Sequence, residues 1–170
     1  VSASAQTTYT WTGAGSDANW STAGNWTASA GSPPPADDLN NTILLFSSPS
    51  ATQLNNNLNY SFSANALNFD ANSAQFVLVG TNTLTIGSGG LTNTSNNIQT
   101  INFNLALGAD STWVNNGTNS GMSIFGNVNN VGHLLTVGGA GGTTYFGAIS
   151  GGGGLTKTGS GAVQLRGANS

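Results

Sequence analysis

Gly87-Ser88-Gly89-Gly90-Leu91-Thr92-Asn93-Thr94 recurs at six of eight positions as Gly151-Gly152-Gly153-Gly154-Leu155-Thr156-Lys157-Thr158, 64 residues further along the chain. Leu84-Thr85-Ile86-Gly87 is echoed in the same way by Leu135-Thr136-Val137-Gly138. Each copy joins a short apolar/polar alternation to a glycine run, the pattern of a strand followed by a turn. Around them lie more segments of the same kind: Ala66-Leu67-Asn68-Phe69, Gln75-Phe76-Val77-Leu78-Val79, Ile101-Asn102-Phe103-Asn104-Leu105, Ser123-Ile124-Phe125, Thr144-Tyr145-Phe146 and Ala162-Val163-Gln164-Leu165. Helix-forming residues never accumulate over two turns, because Gly or Asn interrupts nearly every window of ten. The chain is therefore all-β.

Short strands at this spacing fit either an antiparallel sandwich or a solenoid, and internal repetition favours the solenoid. Asn pairs at 40 and 41, 56 and 57, 96 and 97, 115 and 116, and 129 and 130 read as tight corners, since Asn tolerates the left-handed backbone and bonds to its own main chain. Their spacing suits a coil of twenty residues or so. A parallel β-helix is predicted from about Ala64 onward, with Leu67, Val77, Leu84, Ile86, Ile101, Phe103, Ile124, Leu135, Val137, Leu155, Val163 and Leu165 directed inward.

Composition agrees. Of 170 residues only 4% are charged, against about 25% in an average soluble domain, and Asn, Ser, Thr and Gly together exceed half of the chain. Two basic residues, Lys157 and Arg166, cannot neutralise a row of phosphates, so nucleic acid is excluded as a partner. No apolar run reaches the roughly 18 residues of a membrane-spanning helix. Four Trp, seven Phe and three Tyr supply enough apolar bulk for a core. Cysteine is absent. The opening Val1-Ser2-Ala3-Ser4-Ala5-Gln6 carries an Ala-x-Ala pattern of the kind left by a removed secretory signal, which predicts an exported protein.

Residues 1–60 differ from the rest: they contain Trp11, Trp20 and Trp26, all four prolines (Pro33, Pro34, Pro35, Pro49) and the Asp37-Asp38 pair. A solenoid must close its first coil, and bulky aromatics with prolines suit that task. The chain thus divides into an N-terminal extended strand and cap over 1–60 and solenoid coils over 61–170.

Thr10-Trp11-Thr12-Gly13 followed by Asp17-Ala18-Asn19-Trp20-Ser21-Thr22-Ala23-Gly24-Asn25-Trp26 resembles the opening of bacterial surface proteins of the autotransporter-associated β-strand repeat family. The stretch from Gly153 to Ser170, with its Gly-Gly-Leu-x-Lys-x-Gly-x-Gly core, is similar to the passenger-associated transport repeat itself. The resemblance implies a secreted right-handed β-helix with no catalytic residues, and a motif that continues beyond Asn169-Ser170.

Candidates for chemistry are few. Asp37 and Asp38 are adjacent, which points strand side chains to opposite faces rather than at one another as a glycosidase pair requires. Asp17-Ala18-Asn19 is a fragment of a calcium pattern without its later ligands, and His133 is the only histidine. Neither cofactor nor metal is expected. Two binding ideas remain. Trp11, Trp20 and Trp26, flanked by Gly, Asn and Ser, form either a core plug or a shelf on which surface glycans stack. Tyr9 and Trp11 on an extended N-terminal strand, with Val163 and Leu165 on an uncapped last coil, predict head-to-tail self-association by stacking or strand donation, unless the chain's own continuation covers that edge. The function expected is a secreted, non-enzymatic structural part of an extracellular or cell-surface fibre, stalk or adhesin, with a carbohydrate-binding module as the alternative.

Overall fold

A computed structural model describes residues 5–47, 55–117 and 121–170. The small-residue leader at Val1–Ser4 and Pro49 of the predicted cap lie outside the described residues. Strands, numbered in chain order, are β1 (Thr7–Trp11), β2 (Trp26–Ala28), β3 (Asp38–Phe46), β4 (Asn55–Leu58), β5 (Phe62–Phe69), β6 (Val77–Asn93), β7 (Gln99–Leu107), β8 (Ser111–Asn115), β9 (Met122–Ile124), β10 (Val128–Asn129), β11 (Leu135–Gly138), β12 (Thr143–Tyr145), β13 (Ile149–Ser150), β14 (Leu155–Lys157) and β15 (Val163–Leu165). No α-helix occurs among the described residues, and one 3-10 turn precedes β2.

Every strand pairing but β1 with β2 is parallel. Stacked coils form a β-solenoid of about 5 turns. Three faces can be traced. The first runs through β4, the start of β6, the start of β7, β9, β12 and β15. The second runs through the start of β5, the middle of β6, the end of β7, β10 and β13. The third begins at β1 and passes through β3, the end of β5, the end of β6, β8, β11 and β14.

Side chains alternate in and out along each strand, so in-register stacking turns every inward position into a column. Leu78, Ile101, Ile124 and Tyr145 form one on the first face, and Phe62, Leu84, Leu105, Val128 and Ile149 one on the second. On the third face Trp11, Phe46 and Phe69 stack and then give way to Asn93 and Asn115. All of these are buried.

Of the residues expected inward, Leu67, Leu84, Ile86, Ile101, Phe103, Ile124, Leu135 and Val137 are buried. Val77 is half-buried, because Phe76 and Leu78 take the inward positions of that strand. A one-residue phase error exchanges the faces, and in the run Phe76-Val77-Leu78-Val79 apolar residues stand on both. Val163 is partly buried against the core. Leu155 and Leu165 are exposed although they pair with inward Leu135 and Tyr145, since among the described residues β14 and β15 are each bonded to a strand on one side only.

Parallel stacking starts well before Ala64, at the pairing of Thr7–Trp11 with Thr42–Phe46. The N-terminal aromatics thus share columns with the coils below. Trp11, Trp20, Trp26, Phe69 and Phe76 all pack on Phe46, with ring centroids 5.4–6.0 Å apart. Such pairs contribute about 0.5–1.5 kcal/mol each beyond their buried area.

Candidate functional site

The residues predicted for glycan contact do not form a shelf. Trp11, Trp20 and Trp26 are 0%, 0% and 3% exposed. Trp20 Nε1 donates to Asn56 Oδ1 at 2.6 Å and Trp26 Nε1 to the Trp20 carbonyl at 2.9 Å. Their rings meet edge to face, at 5.0 Å for Trp11 and Trp26 and 5.8 Å for Trp20 and Trp26. With both faces covered by protein and the polar atoms bonded inside, no ring is left for a sugar; the shelf reading is corrected to a plug that fills the first coil.

Strand donation by the N-terminus is corrected as well. Tyr9 and Trp11 are buried, and β1 is bonded to β3 on one side and to β2 on the other. Its hydrogen-bonding edges are used within the chain, so it cannot pair with a neighbour without first being pulled out. Val163 and Leu165 sit at the opposite end, on β15, far along the stack from Tyr9 and Trp11.

The outside of the first face carries an arrangement that sequence reasoning missed. Asn19 bridges to Asn57, Asn57 pairs with Val79, and Val79 with Asn102. Phe125, whose N–H donates to the Ile101 carbonyl at 2.8 Å, follows the Ile101–Ile124 pair and so continues that outward column below Asn102. Phe146 and Arg166 extend it, one position after the Ile124–Tyr145 and Tyr145–Leu165 pairs. The Phe125 and Phe146 rings are parallel, with centroids 4.3 Å apart and an interplanar angle of 2°. The Arg166 guanidinium lies 5.1 Å from the Phe146 centroid and is steered there by hydrogen bonds from Nε and an η nitrogen to Gln164 Oε1 at 3.3 and 2.8 Å. An exposed cation–π contact of this type contributes about 0.5–1 kcal/mol.

Phe146 is therefore covered on both faces. Phe125, 47% exposed, has a stacking neighbour on one face only among the described residues. Above it, Asn57, Asn59, Val79, Thr81, Asn82 and Asn102 line an open groove. Asn59 is held by Ser21, donating Nδ2 to its Oγ at 2.7 Å, and Asn82 donates Nδ2 to the Leu58 carbonyl at 3.1 Å. The exposed Asn102 amide has no hydrogen-bond partner among the described residues. One signal in the sequence marks the column: Phe125-Gly126, Phe146-Gly147 and Arg166-Gly167 recur 21 and 20 residues apart.

Titratable groups are scattered. Asp17, Asp38 and Asp70 bond to the N–H groups of Asn19, of Asn40 and Asn41, and of Asn72, the geometry of local turns. Asp110 Oδ1 accepts from the Leu134 N–H at 2.9 Å and lies 3.6 Å from His133 Nδ1. Among the described residues no three His, Cys, Asp or Glu side chains gather where a metal ion could be held, and no helix is long and apolar enough to cross a membrane. Comparisons with protein-family models, curated proteins and solved structures find no match to this chain.

Proposed function

We propose that this chain is a non-enzymatic structural module, a secreted β-solenoid that forms part of an extracellular or cell-surface fibre, stalk or adhesin. The observation that carries this reading is the edge presented by the last strands. Both β14 and β15 bond to a strand on one side only among the described residues, and beside that edge Leu155 and Leu165 are 42% and 43% exposed. A row of free backbone groups next to open apolar columns is a template for one more coil, supplied by the chain's own continuation or by a second copy. With β1 locked between β2 and β3, assembly proceeds by stacking on this edge rather than by exchange of the N-terminal strand.

Composition supports an extracellular setting. A surface built from neutral amides and hydroxyls, with 4% charged residues, responds little to salt and pH, and the resemblance to exported repeat proteins points the same way. The test is electron microscopy and sedimentation velocity on the 170-residue chain and on a Leu155→Lys/Leu165→Lys variant. End-to-end oligomers or filaments that shorten in the variant support assembly at this edge; a monodisperse monomer at high concentration contradicts it.

A further inference from the structure

We propose that the open edge of β14 is covered by β2 of a second copy, paired antiparallel, so that the last coil of one molecule seats on the first coil of the next. This inference rests on the assembly proposed above and names the surface that completes it.

The third face ends in an edge at both ends of the stack. Among the described residues β2 bonds only to β1, and β14 only to β11. In β14 the Leu135 N–H donates to the Gly154 carbonyl at 2.9 Å and the Thr158 N–H to the Val137 carbonyl at 2.8 Å, so by alternation the backbone groups of Leu155 and Lys157 face away from the stack. In β2 the Thr12 N–H donates to the Asn25 carbonyl at 2.7 Å and the Ser29 N–H to the Thr8 carbonyl at 2.9 Å. The Ala28 N–H and carbonyl and the Trp26 carbonyl therefore face away from β1. β2 runs against β1, whereas β14 runs with the parallel rungs of the face; a neighbour stacked head to tail thus presents β2 antiparallel to β14. With Leu155 opposite Ala28, Thr156 opposite Thr27 and Lys157 opposite Trp26, Leu155 exchanges both main-chain bonds with Ala28, and the Lys157 N–H donates to the Trp26 carbonyl. Leu155 then enters the core side beside a small residue, while the exposed Thr27 and Thr156 meet on the outside.

Charge selects this partner. Leu67, Leu91, Trp113 and Val137 form a buried inward column, and Lys157 occupies its last rung. An apolar coil laid over that rung would enclose an ammonium group without a counter-charge, which is strongly unfavourable. The first coil of a second copy brings one: the exposed Asp17 accepts from Asn25 Nδ2 at 3.4 Å, one residue before Trp26. The whole chain is polarised in the same sense. Both cations, Lys157 and Arg166, lie at the end of the stack, and Asp17, Asp37 and Asp38 lie at its start. Tail-to-tail contact would bring cations together and head-to-head contact carboxylates, so only head-to-tail contact is complementary. Such a contact does not close on itself and propagates as a filament.

The chain has no cysteine, so Thr27→Cys and Thr156→Cys report the pairing directly. They stand opposite each other at a non-hydrogen-bonded position, where Cα atoms approach to about 4.5 Å, within reach of a disulfide. Oxidation of the 170-residue chain carrying both substitutions, at about 1 mM to capture weak contacts, is expected to give a ladder of covalent oligomers on a non-reducing gel, and neither single variant is expected to cross-link. Lys157→Asp and Asp17→Lys, without cysteines, are each expected to raise the concentration needed for oligomers about tenfold in sedimentation velocity. An equimolar mixture of these two variants restores assembly, a result that misfolded chains cannot give. Oligomers without the cross-link overturn this pairing and leave assembly on the β14 and β15 edge standing. A covalent dimer of the Thr156→Cys variant overturns it in favour of tail-to-tail contact. A monodisperse monomer at the same concentration overturns assembly itself.

Discussion

Asn93 and Asn115 are buried one coil apart on the third face, and the Asn93 Nδ2 donates to the Asn115 Oδ1 at 2.9 Å. They occupy the column that Trp11, Phe46 and Phe69 fill above them. Asn115 also accepts from the Gly117 N–H at 3.2 Å and donates Nδ2 to the Gly142 carbonyl at 2.6 Å, so one side chain joins three segments of backbone and amide. Replacing it leaves buried groups without partners, which costs far more than the net worth of the bonds themselves. Asn115→Ala is expected to lower the unfolding free energy by about 2–4 kcal/mol, measured as a reduced urea midpoint.

Phe46 is the centre of the aromatic plug, in ring contact with Trp11, Trp20, Trp26, Phe69 and Phe76. Phe46→Ala should cost about 3–5 kcal/mol, because so many rigid neighbours cannot close the cavity. Phe125→Ala removes a ring of the same size from the surface and should cost about 1 kcal/mol or less. Equal losses in the two variants, by denaturant unfolding, would contradict the plug.

Gly126, Gly147 and Gly167 stack at one corner, where each coil comes too close to the next for a side chain. A Cβ on Gly147 would collide with the Gly126 carbonyl oxygen, whereas one on Gly152 would have nothing within 4 Å. The obstacle at Gly147 is backbone, so relief requires the coils to separate. Gly147→Ala should destabilise by about 1–3 kcal/mol or more and Gly152→Ala by less than about 0.5 kcal/mol, compared by thermal melting.

Stability should be flat between pH 5 and 8 and fall outside that range. The Asn41 side-chain amide and the Asn40 N–H hold the Asp38 carboxyl below its ordinary value, and the Asn19 N–H and Thr22 hydroxyl do the same for Asp17. Depressed carboxylates contribute stability above the ordinary carboxylate range, about pH 4, and lose it as pH falls through the lowered values. At the other extreme, burial pushes the Tyr145 phenol up, and burial with the Asp37 charge raises Tyr60; that stability is present below about pH 10 and is lost as pH rises through the raised values. The Tm is expected to move by less than about 10 °C from pH 5 to 8. Asp38→Asn should flatten the acid limb and Tyr145→Phe the alkaline one. Tyr145→Phe should also leave stability at pH 7 unchanged or slightly higher, since the buried hydroxyl has no hydrogen-bond partner among the described residues.

Fold class was legible in the chain because its signals are local. Strand alternation, glycine turns and the absence of helix formers act over four to ten residues and identify stacked β-coils without any knowledge of which coil meets which. The octapeptide repeat shows how far that reaches. In the structure Leu91 pairs with Trp113 and, through it, lies in one column with Val137 and Lys157, whereas Leu155 pairs with Leu135. The two copies are thus two residues out of register. A slip of two preserves the inward face, so the repeat identified the architecture correctly while misaligning its coils.

What only tertiary structure decided is the surroundings of each side chain. Tryptophans beside Gly, Asn and Ser read equally as shelf or plug, and the antiparallel return of β2 onto β1 is what buries them. Asn pairs read as corners, yet Asn40 and Asn41 lie within β3, Asn56 and Asn57 within β4, and Asn115 ends β8 as a buried rung. The outward column of Asn102, Phe125, Phe146 and Arg166 joins residues about twenty positions apart whose spacing drifts from coil to coil. Local patterning determines that a strand forms and which face is apolar; coil length, set by the corners, determines which residues become neighbours, and that quantity exists only once the coils have closed on one another.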